Sequence, residues 1–357
     1  MQSVVLVINP GSTSTKFAVF HGDRCIFDQT LNHSAEELSG FSTIASQYEF
    51  REKAIQEALK ERDFDMSSLN AVVGRGGLLH PIPGGIYRIN EAMKADLLAA
   101  RYGEHASNLG ALIADTFAKQ FGIPAFIVDP VVVDELEDVA RVSGHKLFKR
   151  ISIFHALNQK AVARRFAKER GINYEDITLI VAHLGGGISV GLHRKGRVID
   201  VNQALSGEGP FSPERSGTLP AADLARLCFS GQYTLQEVLK MITGKGGMVS
   251  FLGTNNMRDI EHMRDQGNKE ADFYFQAFVY QVGKYIGSLA PVVEGKVDAI
   301  ILTGGIAFWK EVTERISQMV SFIAPVVVYP GEGELEALAI AGQMALEGEA
   351  EIKEYVP

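Results

Sequence analysis

Apolar residues along this chain fall into two recurring patterns. Short runs mark strands near residues 4–9, 15–20 and 24–30, and apolar positions three and four apart mark helices near 43–62, 91–101 and 107–121. Strands stand between those helices, Val72-Val73 and Ala125-Phe126-Ile127-Val128 among them. The second half repeats the order, with strands near 178–183, 187–193 and 197–202, helices near 221–229, 234–242 and 269–290, a strand near 298–303, and helices near 308–320 and 334–347. Alternation of strand and helix predicts an α/β fold. No low-complexity linker separates the halves.

The openings of the two halves match in more than order. The run Val4 to Ile8 leads through Asn9-Pro10-Gly11-Ser12-Thr13-Ser14-Thr15-Lys16 into a second strand and a turn at His21-Gly22-Asp23. Leu179 to Ala182 leads through His183-Leu184-Gly185-Gly186-Gly187 into a second strand and a turn at Arg194-Lys195-Gly196. Asn9 and His183, like Gly22 and Gly196, stand 174 residues apart. Either two unrelated hairpins agree by chance, or the chain is an internal duplication whose small-residue loops hold a polyphosphate in a cleft.

Composition narrows this. The chain has 357 residues, 46% of them apolar, which suffices for two cores and excludes disorder and disulfide scaffolds. Its 36 glycines exceed the roughly 25 expected at about 7%. A net charge of −8 without long runs of one sign argues against a nucleic-acid groove. Two distant cysteines, Cys25 and Cys228, fit no metal spacing and suit a reducing compartment. No leader is expected before Val4, and no apolar stretch reaches the length of a membrane span. A cytoplasmic protein is therefore expected.

Neither G-x-x-x-x-G-K-[ST] nor a complete G-x-G-x-x-G occurs. Gly187-Ile188-Ser189-Val190-Gly191 matches the nucleophile elbow G-x-S-x-G, but Ile188 to Leu192 alternates like a strand where the elbow needs a strand turning into a helix. His183 stands at a strand end before three glycines, either structural or a donor to a transferring phosphoryl group. Asp129, before Pro130, is an ordinary turn aspartate or a Mg²⁺ ligand directed out of the sheet edge toward a cleft. Arg75, in Gly74-Arg75-Gly76-Gly77, and Arg215, in Pro213-Glu214-Arg215-Ser216-Gly217, are solvated surface groups or clamps for carboxylate and phosphate. His105 precedes a helix with Ser107 or Asn108 as cap, in anion-binding geometry. Thr303-Gly304-Gly305 is a further glycine turn between strand and helix. Gly331-Glu332-Gly333-Glu334-Leu335-Glu336 offers carboxylates to a metal.

Taken together, the segment Ile8 to Lys16 and Phe211-Ser212-Pro213-Glu214-Arg215-Ser216-Gly217 resemble the acetate and butyrate kinase family, within the sugar kinase, heat-shock-70 and actin superfamily. The likeness spans nearly the whole chain and is greatest to the butyrate and branched-chain fatty acid branch. It implies two RNase H-like (actin-like ATPase) domains with an interdomain cleft, one made of residues 1–150 plus 338–357 and the other of 151–337. It also implies ATP/ADP and Mg²⁺, a small carboxylic acid as partner, and a homodimer or higher homo-oligomer, without nucleic acid or membrane.

By position, the resemblance makes Asn9, Arg75, His105, Asp129, His183 and Arg215 catalytic. Ser12, Ser14 and Lys16 become cofactor contacts, Gly185, Gly186 and Gly187 the phosphate loop, Asn256, Met257, Arg258, Gly304 and Gly305 adenosine-side contacts, and Asp129 and Glu336 the metal site. Glu336 is preferred because Leu338 and Ile340-Ala341 then stay in register, with Glu334 open. The chain departs from acetate kinases in three places: Gly186 replaces an asparagine, Glu214 a threonine, and Glu334-Leu335-Glu336 a pair of adjacent glutamates. A different acyl pocket is expected. The implied reaction is reversible transfer of phosphate from ATP to a short-chain fatty acid, butyrate foremost. Alternatives are acetate, propionate or sugar phosphorylation, or an actin-like ATP-driven switch.

Overall fold

The computed structural model describes residues 3–357. Among them the chain divides into two compact units, residues up to Val133 together with Gly333–Pro357, and Asp134–Glu332. Strands β1 (Val4–Pro10), β2 (Ser14–His21), β3 (Arg24–Asn32), β4 (Ala71–Arg75), β5 (Ile86–Arg88) and β6 (Ala125–Val128) lie in the first unit. Strands β7 (Thr178–Leu184), β8 (Ile188–Arg194), β9 (Arg197–Val201), β10 (Ala299–Gly304) and β11 (Val326–Pro330) lie in the second, and β12 (Ile352–Glu354) returns to the first.

The first sheet has the order β12-β5-β6-β4-β1-β2-β3 and the second β11-β10-β7-β8-β9. In each, an antiparallel meander of three strands continues into parallel strands: β1 pairs with β4, and β7 with β10, in parallel. Strand β7 begins and ends 174 residues after β1, so the duplicated openings are the same piece of topology used twice.

The burial of each strand follows its place in the sheet. Central β1 and β7 are buried beyond their first residue, while edge strand β3 is nowhere fully buried. On β7 the pleat sends Leu179 and Val181 toward Val162, Ala163 and Phe166, and Ile180 and Ala182 toward Phe275, Phe278 and Ile286. Fully burying one such phenylalanine stabilises by about 2–3 kcal/mol. The helix Ala156–Glu169, which covers the first of these faces, escapes the sequence pattern because Asn158, Gln159 and Lys160 are buried polar residues that break the apolar period.

The domain boundaries differ from those expected. Residues 134–150 belong to the second unit: Glu137 N–H donates to Ile199 O (3.0 Å), Arg150 donates to Asp200 Oδ1 and Val201 O (2.9 Å each), and Glu135 pairs with buried Lys160 (2.9 Å). The helix Glu334–Glu347 belongs from its first turn to the first unit, packing on β1 and β4, with Gln343 Nε2 donating to Ser3 O and Gly22 O (3.1 Å each). Cys25 and Cys228 are exposed and unbridged. Among the described residues no helix is long and apolar enough to cross a membrane.

Candidate active site

Parallel pairing of β1 and β4, with Ile8 opposite Gly74, places Asn9 and Arg75 side by side at the strand ends. Glu334, the first residue of its helix, joins them. Asn9 Nδ2 donates to Glu334 Oε2 (2.6 Å), and Arg75 Nη1 donates to the same oxygen (3.1 Å) and to Asn9 Oδ1 (3.2 Å). Asn9 and Glu334 are both 6% exposed. Arg75 Nε and Nη2 make no hydrogen bond among the described residues, which leaves a guanidinium edge for an anion. The structure therefore brings Glu334, and not Glu336, to this group. Glu336 is exposed, because Glu334, Ala337, Leu338 and Ala341 form the buried stripe of the helix while Glu336 and Ile340 lie on its outer side.

Ser12, Ser14 and Lys16 belong to the turn between β1 and β2 and to the start of β2, where Lys16 pairs with Asn9. The turn is held from beneath by Arg51, a wholly buried residue that the sequence pattern did not single out. Its Nη1 donates to Gly11 O (2.7 Å), Ser14 O (2.9 Å) and Thr15 Oγ1 (3.2 Å), and its Nη2 to Ser12 O (2.9 Å). Carbonyls directed at Arg51 are turned away from any ligand of the loop.

Asp129 directly follows β6, at the carboxyl end of that strand. The residue is 1% exposed, holds φ +36°, and Oδ1 accepts from Gly85 N–H (2.7 Å). A non-glycine residue in that region is strained, here anchored by the paired Gly85 backbone. His105 lies exposed just before the helix Asn108–Phe121. Ser107 occupies the cap position without capping; its hydroxyl bonds His105 Nδ1 (2.8 Å), which also accepts from Ser107 N–H (3.2 Å).

In the second unit His183 is buried and shares its site with two residues that sequence reasoning missed. Asn158 Nδ2 donates to Thr303 Oγ1 (3.3 Å) and to Glu332 O, so Asn158 Oδ1 accepts from His183 Nδ1–H (2.7 Å). His155, at the N-cap of the helix Ala156–Glu169, stacks on His183 with ring centroids 3.8 Å apart. In the sequence the only trace of this pair is the string His155-Ala156-Leu157-Asn158-Gln159, polar residues at what become buried helical positions.

Arg215 completes the group. Its Nη1 donates to Ala204 O (2.6 Å), while Nε is buried with no partner among the described residues. Burial lowers the pKa of its guanidinium from the ordinary value, Glu214 opposing this. A buried donor left unmet is what an anionic ligand would satisfy. Gly187 lets the guanidinium lie against the loop, since a Cβ on it would come within 1.9 Å of Arg215 Nη1 and displace that group. Ser212 Oγ donates to Gly186 O (2.6 Å) and accepts from Arg215 N–H (3.1 Å), tying the arginine loop to the triple glycine. The glycine loop offers fewer donors than expected, because Gly185 N–H closes onto Gly187 O (3.2 Å).

A cavity of about 820 Å³ in the second unit is lined by Gly185, Gly186, Asn256, Met257, Arg258 and Gly305, among others. That volume suits a nucleotide. Four of the five expected adenosine contacts, all but Gly304, thus share one cavity with two of the phosphate-loop glycines. Gly304, with φ +90°, passes so close over Leu184 that a Cβ would meet its carbonyl oxygen at 2.3 Å. Asn256 is the cap of the helix Met257–Asp265, accepting from Arg258 N–H (3.1 Å). The Ser189 of the apparent elbow is buried near the start of β8, opposite His183, and not at a strand-to-helix turn as the elbow needs.

The duplicated meander-and-parallel sheets with glycine loops at their strand ends define an α/β fold of the actin-like ATPase type. The crystal structure of Porphyromonas gingivalis acetate kinase superposes with a TM-score of 0.78 at 19% identity, covering 97% of this chain and 100% of that one. Residues 139–324 match the model of the acetokinase family. Butyrate kinase 2 of Clostridium acetobutylicum is 56% identical over 355 residues, 99% of this chain and all of the relative, and butyrate kinase 1 of that organism is 56% identical over 351 residues, 98% of this chain and 99% of the relative. The chain belongs to the acetokinase family.

Proposed function

We propose that this protein is an ATP-dependent, reversible kinase of short-chain fatty acids, with butyrate as its principal substrate and a butyryl phosphate as product. The observation that carries the reading is the likeness to butyrate kinases along their entire length. The geometry supports it through two arginines suited to a carboxylate and to phosphoryl oxygens: Arg215, whose buried Nε has no partner among the described residues, and Arg75, partly exposed beside Asn9 and Glu334.

A carboxylate is already a nucleophile at neutral pH, so the protein needs no strong base, only positioning and charge stabilisation. Arg75, steadied by Asn9 and Glu334, and Arg215, steadied by Ala204 O, provide the cationic groups. His183, His155 and Asn9 provide hydrogen-bonding groups for the phosphoryl oxygens, with His105 and Lys16 as further candidates. Ser12, Ser14 and the glycines 185–187 form the phosphate loops, and Asn256, Met257, Arg258, Gly304 and Gly305 the adenosine site.

The donor set fits Mg²⁺ in that Asp129 and Glu334 offer hard carboxylate oxygens. Among the described residues no group of three or more His, Cys, Asp or Glu side chains forms a cage. Bound Mg²⁺ supplies neutralisation of phosphate charge. A cytoplasmic homodimer or larger homo-oligomer belongs to the same proposal.

The test is an ATP-dependent acyl-hydroxamate assay across acetate, propionate, butyrate, isobutyrate, isovalerate and valerate. Butyrate is expected to give the highest kcat/KM. Preference for acetate overturns the butyrate assignment, and inactivity on every acid overturns the kinase reading in favour of a nucleotide switch. Arg215→Ala should lower kcat by about 100-fold or more with ATP binding little changed.

A further inference from the structure

Ser189 and Gly191, two residues of the false elbow, still require an explanation. Ser189, Gln159 and His193 are each 0% exposed. Their proton positions can be read outward from one backbone carbonyl. Ser189 O can only accept, so the Gln159 group 3.0 Å from it is the amide nitrogen, and the second N–H of that amide donates to Ser189 Oγ (2.8 Å). Gln159 Oε1 then accepts from His193 Nε2–H (3.0 Å), and His193 Nδ1 accepts from the Tyr174 hydroxyl (2.7 Å). Complete burial, with Lys160 and Arg164 nearby, keeps His193 neutral, as this pattern needs.

In the other direction, Ser189 Oγ accepts from Gln159 and, at 3.4 Å, from His155 N–H. Its own proton is directed to His155 Nδ1, 2.8 Å away. The proton of neutral His155 must then sit on Nε2. Stacked against it, His183 carries a proton on Nδ1, donated to Asn158.

We infer that Tyr174, His193, Gln159 and Ser189 are positioning residues that hold His155 as its Nε2–H tautomer, making it a neutral hydrogen-bond donor beside a His183 of opposite tautomer. Gly191 belongs to the same device: a Cβ there would lie 2.4 Å from Gln159 Oε1 and would push the amide out of its place. The helix Ala156–Glu169 supports it from behind, since the positive end at His155 opposes a second positive charge on the ring. The catalytic meaning of this tautomer rests on the kinase reading above; the tautomer itself does not.

The experiment is ¹⁵N NMR of histidine-labelled protein, with His155 assigned through loss of its signals in His155→Gln, alongside kinetics with butyrate and ATP. Wild type should show protonated Nε2 and bare Nδ1 at His155. Ser189→Ala, and independently Gly191→Ala, should mix the tautomers and lower kcat about tenfold, with KM for ATP within about twofold. Ser189→Thr, which keeps the hydroxyl, should restore both. A wild-type His155 protonated on Nδ1, or an unchanged spectrum and kcat in both variants, overturns the inference. Absence of any carboxylate kinase activity in wild type would instead overturn the proposed function, while the spectrum would still decide the tautomer.

Discussion

Asn9, Arg75 and Glu334 form a closed triangle in which each group limits the orientation of the other two. Removing the carboxylate frees Arg75 to swing and leaves the Asn9 amide facing a neutral group. Under the proposed function, Glu334→Gln should lower kcat with butyrate by about 100-fold, and Glu336→Gln should leave it within about twofold. Steady-state kinetics on the two variants decides between the glutamates. The sequence placed both near the site and could not separate them, because the difference lies in which side of a helical turn each occupies. Arg75, His183 and Arg215 were legible as glycine- or proline-flanked groups at strand ends and in loops, where backbone is exposed to ligands.

At the scale of elements, the phosphate-loop candidates depend on support from behind. Arg51 reaches from the helix Tyr48–Glu61 to four oxygens of the turn between β1 and β2, and Gln47 Oε1 accepts its remaining edge. Arg51→Met should destabilise the first unit by about 3 kcal/mol, since several carbonyls lose their donor at once. Arg51→Lys should recover only part of this, because an ammonium cannot reproduce the fork. Urea unfolding of both variants measures the difference, and equal stability of Arg51→Met and wild type would contradict the anchoring role. Most strands and helices were legible because periodicity is a local property, whereas the short β5 and β12 and the edge strand β11 were not. The helix Ala156–Glu169 was not: its buried Asn158, Gln159 and Lys160 have partners supplied by β8, β10 and the residues around Glu135 and Glu332, all distant in sequence.

Across the whole molecule, buried His193 links stability to pH. Its pKa is held well below the usual 6.5, chiefly by burial and then by Lys160 and Arg164. The unfolded chain therefore binds a proton below about pH 6.5 that the folded chain refuses, and stability falls as pH drops through that range. Thermal unfolding between pH 5 and 7.5 should show a falling Tm below about 6.5. His193→Gln should flatten that slope even if it lowers Tm at pH 7.5, and an unchanged slope would assign the effect elsewhere.

The sequence by itself determined the α/β class, the 174-residue offset between two similar openings, the strand-end turns and the family resemblance, because each rests on residues adjacent in the chain or on a repeated local pattern. Only the tertiary structure decided that Glu334 joins Asn9 and Arg75, that His155 and Asn158 accompany His183, and that residues 134–150 belong with the second unit. It also turned a false elbow into a strand whose two glycines make room for Arg215 and Gln159. The physical reason is the same in each case: these outcomes depend on which buried donors meet which acceptors across separations of tens to hundreds of residues, and no local pattern encodes that pairing.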